Sequence, residues 1–149
     1  MPAFDAVVVT SGVNTMDMRP VLREIDASLY KEEVPYLLVG CRVKTQSVPQ
    51  ATTDLAEIAS LGYTVARTLI RELTVHSDCV RESRPITQMP GGAHSTARAA
   101  EREYRTLARE VFAGLLGMGT EADRKLLAGR RGMKWPDAAS ESSQKKGKK

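Results

Sequence analysis

The sequence predicts an α/β fold: a small parallel sheet of about three strands covered by helices, with a basic C-terminal tail. Three observations predict it. Residues 4–10, FDAVVVT, and 35–39, PYLLV, are apolar runs closed by Gly12 and Gly40, the pattern of strands covered on both faces. Between them Met18, Val21, Leu22, Ile25 and Leu29 recur at helical spacing, so strand, helix and strand form one right-handed βαβ unit. Aromatic residues are 5% of a composition that is 42% hydrophobic, so aliphatic side chains must fill the interior.

Each element has a local cause. Asp17 is the expected N-cap of the first helix, with Pro20 in its first turn and Arg23, Glu24 and Asp26 on its outer face. Thr52 or Thr53 is expected to cap a second helix through Leu55, Ala56, Ile58 and Ala59, stopped by Gly62. The spacing of Val65, Leu69 and Leu73 predicts a third helix over residues 64–73. Residues 74–80, TVHSDCV, alternate Val75, Ser77 and Cys79 against His76, Asp78 and Val80 and predict the third strand. Pro85, Pro90, Gly91 and Gly92 mark residues 81–94 as a loop. Ser95 then caps the longest helix, which carries Ala97, Ala100, Tyr104, Leu107, Val111 and Leu115 on one face and stops at Gly117.

Charge divides the chain into an α/β domain over residues 1–118 and a tail over 119–149. Nine Lys or Arg against Asp137 and Glu141 give residues 124–149 a charge of +7, which leaves −3 on residues 1–123 of the net +4. In the tail, Arg130, Arg131, Lys134, Trp135, Lys145, Lys146, Lys148 and Lys149 offer cations and one aromatic to RNA or to an anionic surface. The tail has little to bury and is expected to lack fixed structure. No apolar run approaches the roughly 20 residues of a membrane span, and the opening residues lack a signal pattern. Two distant cysteines, Cys41 and Cys79, fit a reducing compartment, so the expectation is an intracellular protein of the cytoplasm, with the mitochondrion as the alternative.

The order of these elements and the stretch Val34-Pro-Tyr-Leu-Leu-Val-Gly-Cys41 resemble the C-terminal half of small GTPases of the Ras superfamily, nearest the Rho-like branch. Cys41, Arg42, Val43 and Lys44 stand where that family carries its guanine-reading Asn-Lys-x-Asp or Thr-Lys-x-Asp motif. The helix expected after residue 52 matches the Rho insert. The stretch ARTLIRELTVHSDC, ending at Cys79, is similar to the segment leading to the family's Glu-Cys-Ser-Ala motif, and Val111-Phe-Ala-Gly-Leu-Leu116 is similar to its closing Val-Phe-x-x-x-Leu pattern.

What the resemblance implies is a degenerate site. The sequence contains no Gly-x-x-x-x-Gly-Lys-Ser/Thr stretch to cradle phosphates. Lys44 replaces the Asp that would accept two hydrogen bonds from guanine, so it offers donors to a donor edge. Val80 replaces the later Ser. Cys41, Arg42, Lys44 and Val80 are thus nucleotide-facing only by resemblance, and no cofactor and no GTP recognition are expected. The final residues, Lys145-Lys-Gly-Lys-Lys149, carry no prenylation Cys. In the family fold the first strand here lies mid-sheet, so Val7, Val8 and Val9 are expected to present an apolar edge that a protein partner or a second copy covers.

The expected function is that of a non-catalytic, small-GTPase-like regulatory or scaffold module. Two alternatives stand beside it. One is a structural subunit of a large ribonucleoprotein or mitochondrial assembly, anchored by the tail. The other is a small α/β enzyme using Cys41 or Ser11 at the strand ends, with His76 or His94 as base. The His76 and Cys79 pair has too few companions for zinc, and Gly91, Gly92 and Ser95 form a loop and cap that could accept an anion.

Overall fold

Parallel pairing of β1 (Val7–Gly12) with β2 (Tyr36–Cys41) frames the computed structural model, which describes residues 4–123 and residue 125. The register runs from Val7 opposite Tyr36 to Gly12 opposite Cys41. α1 (Thr15–Glu24), continued by a π-helical turn over Ile25–Leu29, makes the crossover between them. α2 (Val48–Ser60) follows β2. Leu38 and Val39 in β2 are fully buried because helices lie against both faces.

The next two elements exchange identities relative to the sequence expectation. Residues 64–72 are extended, not helical, and run parallel to β2 on the side away from β1. The Leu38 N–H donates to the Thr64 carbonyl at 2.9 Å, the Ala66 N–H to Leu38 at 2.8 Å, and the Ile70 N–H to Gly40 at 2.9 Å. The segment is joined by isolated bridges of Leu38 with Val65 and Val43 with Arg71, so the regular sheet has two strands and the third member is irregular. Residues of the expected third strand instead form α3 (Thr74–Glu82). A spacing of four fits both periods. Val65 and Leu69 share one face of an extended segment as readily as of a helix, while Val75 and Cys79 share one face of α3. What decides is the backbone: the free edge of β2 supplies partners to residues 64–72, whose Thr64, Val65, Thr68 and Ile70 are β-branched.

The helix starts also differ. Asn14, not Asp17, caps α1, its Oδ1 accepting the Asp17 N–H at 2.9 Å. α2 begins at Val48 with Pro49 in its first turn, and the Thr52 and Thr53 hydroxyls lie inside it, donating to the Val48 and Pro49 carbonyls at 2.8 and 3.2 Å. Gly62, at φ 102°, ends that region as expected. Ser95 caps α4 (Thr96–Arg109), accepting the Arg98 N–H, and a π-helical turn, Glu110–Leu115, extends α4 before Gly117.

Three apolar clusters result. Leu38, Leu55, Met18 and Ile25 pack α1 and α2 on one face of the strands, joined by Val7, Val9, Val65 and Leu69. Leu37, Val39, Ala66 and Ile70 face Leu107, Val111 and Leu115 on the other. Val75, Met89, Ala97 and Ala100 join α3 and α4. The loop between these two helices is pinned by Arg98, whose guanidinium donates to the Met89 carbonyl at 2.6 Å and to that of Ile86 at 3.2 Å. Among the described residues, no helix is long and apolar enough to cross a membrane.

Candidate functional site

The carboxyl ends of β1 and β2 open into a cleft of about 400 Å³, where open α/β sheets place ligands. Arg42 and Lys44 leave β2 into it, and Asp17, Asp54 and Glu72 face it from α1, α2 and the end of the extended segment. Two cations meet three carboxylates, a balance that disfavours a polyphosphate. Two of the carboxylates are already engaged locally: Asp17 accepts from the Asn14 amide at 2.6 Å and Asp54 from Gln50 at 2.8 Å. Arg42 sits at φ 57°, a left-handed conformation that turns the chain out of β2 before Val43 returns to pair with Arg71.

The nucleophile candidates do not assemble. Cys41 is half-buried against the cluster under α4, and burial pushes its thiol above the ordinary value, away from thiolate. Ser11 is buried and donates its hydroxyl to the Gly12 carbonyl at 2.8 Å. His76 stacks edge-on against Tyr104, with ring centroids 5.7 Å apart, and His94 is exposed on the loop before α4. Neither histidine lines the strand-end cleft. Gly91 lies against the Ser95 side chain, which is spent on the Arg98 N–H. Among the described residues, no group of three or more His, Cys, Asp or Glu could hold a metal ion.

Val80 lies on the outer face of α3, 81% exposed and apart from Cys41, Arg42 and Lys44, because its segment is helical. Arg130, Arg131, Lys134, Trp135, Lys145, Lys146, Lys148 and Lys149 lie outside the described residues.

The two edges of the parallel assembly differ in kind. On the far side of residues 64–72, carboxylates of α4 and its π-helical extension take three N–H groups. Glu110 accepts from Arg67 and Thr68 at 2.9 and 2.8 Å, and Glu103 accepts from Arg71 at 3.1 Å while pairing with its guanidinium. At β1 the Val7 N–H turns inward to the Pro35 carbonyl at 2.9 Å, so alternation turns the amides of Val8 and Thr10 outward. No strand lies beside that edge among the described residues. Val7 and Val9 point into the core, whereas Val8 is 42% exposed because α4 covers β2 and the extended segment. Sequence reasoning expected Val7, Val8 and Val9 together on this edge, whereas Val7 and Val9 face the core, and it missed the blunted far side, whose signal was the pair Glu103 and Glu110, seven residues apart and two turns along one helical face. No known protein family, curated protein or solved structure matches the chain.

Proposed function

We propose that this chain is a non-catalytic, small-GTPase-like module that acts by pairing with another protein chain along the open edge of β1. The carrying observation is the asymmetry of the edges: Glu103 and Glu110 satisfy the N–H groups of Arg67, Thr68 and Arg71 at one side, while Val8 and Thr10 present theirs at the other. Unprotected edges are templates for an added strand, and native proteins otherwise cover them. The strand-end cleft supports the non-catalytic half of the reading, with Lys44 in place of a guanine-binding carboxylate and carboxylates outnumbering cations.

Two measurements test it. Fluorescent GTP with Mg²⁺ should show no saturable binding at micromolar protein, and micromolar affinity would overturn the non-catalytic reading. Complexes isolated through a tagged chain should protect the Val8 and Thr10 amides from hydrogen exchange, and Val8→Lys should weaken them. Free exchange at both amides in the complex would sink the edge-pairing reading.

A further inference from the structure

A second cleft, of about 610 Å³, lies between residues 67–71 and α4. Its walls carry Arg67, Arg71 and Arg102 against one carboxylate, Glu103. Arg71 and Glu103 pair with each other, which leaves two guanidinium charges. Glu110 stands beside the cleft through Thr68, but its oxygens are held by two backbone N–H groups and the Thr68 hydroxyl. Arg102 gives one N–H to the Ala93 carbonyl at 3.1 Å and is otherwise exposed. Arg67 differs from both: its Nη1 is shielded from solvent and has no hydrogen-bond partner among the described residues.

Arg67 also lines the cleft, and a shielded charged donor without an acceptor is costly, so the fold gains when an anion enters and the guanidinium turns this donor toward it. We propose that this cleft binds a small phosphomonoester, with Arg67 and Arg102 receiving its phosphate group. The charges are opposite in sign, because Arg67 and Arg102 outnumber the neighbouring Glu110 carboxylate by one while a phosphomonoester carries about −1.5 to −2 at neutral pH and presents three acceptor oxygens to two guanidinium forks. The volume fits the range of small-molecule sites, about 300–1,000 Å³, and leaves room for the organic part of the ester. The inference does not depend on the β1 edge.

Calorimetric titration of the full chain with inorganic phosphate and with O-phosphoserine tests it, with malonate as the dicarboxylate comparison. Saturable one-site binding is expected for both phosphates. Equal affinities identify the phosphate group alone as the recognised element, and tighter phosphoserine binding shows that the ester body contributes. Arg67→Gln and Arg102→Gln should each weaken binding about tenfold, the loss expected for one charge-assisted contact. Arg105→Gln, on the same helix but paired with Glu101 outside the cleft, should leave it unchanged. Arg102 is exposed, so its variant keeps the test sound if Arg67→Gln perturbs folding, which circular dichroism reads. No saturable phosphate binding, phosphate affinity in Arg102→Gln equal to that of the unsubstituted chain, or malonate binding more tightly than either phosphate would overturn the proposal.

Discussion

The Glu110 carboxylate accepts the backbone N–H of Arg67 at 2.9 Å, a bond that spans 43 positions and fixes the end of the last helix to the outer side of the extended segment. The same carboxylate takes the Thr68 N–H at 2.8 Å and the Thr68 hydroxyl. Glu110→Ala should therefore destabilise the fold by about 1.5–3 kcal/mol, the scale of a hydrogen bond to a charged group, and Glu110→Gln by less because one acceptor survives. Urea unfolding of the two variants checks the order; a fully stable Glu110→Ala would show that water replaces the carboxylate without loss.

Gly40 leaves no room for a side chain in β2. A Cβ there would lie 2.9 Å from Leu55 Cδ1 and from Val13 Cγ2, inside contact distance on two sides. Gly40→Ala should cost about 1–3 kcal/mol by overpacking, and Leu38→Ala, at a fully buried neighbour, about 2–5 kcal/mol by leaving a cavity. Denaturant midpoints measure both.

Burial raises the Cys41 thiol above its ordinary value, and burial is also the largest cause of the upward shift of the Tyr104 phenol. A folded-state value above the unfolded one means that the folded chain holds its proton more tightly. The contribution to stability is full below the unfolded value and is lost as pH rises through the folded one. Thermal midpoints should thus fall in alkaline buffer, beginning above about pH 8.5, where an unfolded thiol ionises. Alkylation of Cys41 by iodoacetamide should be slow at pH 7.5 and still be accelerating beyond that point.

Arg98 fixes the loop before α4 through carbonyls of Ile86 and Met89 and pairs with Glu101. Arg98→Ala should free this loop, so the amides of Gln88 and Met89, bonded in the short turn to Pro85 and Ile86, should exchange with deuterium faster while those of β2 stay protected. Mass-spectrometric exchange on the two chains makes the comparison.

Legibility in the sequence followed the range of the determining interaction. β1, β2 and the crossover helix were readable because VVV and YLLV are apolar throughout and Met18 and Ile25 repeat at helical spacing. The last helix was readable from Ser95 and a long one-sided stripe. Residues 64–82 were not, since apolar residues four apart serve either geometry and the choice lies with the free edge of β2. The cap of α1 was misread by three residues because Asn14 and Asp17 both suit the role and, in the fold, bond to each other. Of the four residues expected to face a nucleotide, Arg42 and Lys44 line the strand-end cleft and Cys41 and Val80 do not, while the carboxylates Asp54 and Glu72 reach it only after α2 and the extended segment have packed.

The carboxylates of Glu103 and Glu110 close the lateral terminus of the parallel assembly with side chains from a helix. Among the described residues β1 is therefore the open side of the assembly, and a pair joined through two β1 edges would present carboxylate-blocked sides at both ends. Such a pair would stop at two copies and would not grow into a fibre through these strands.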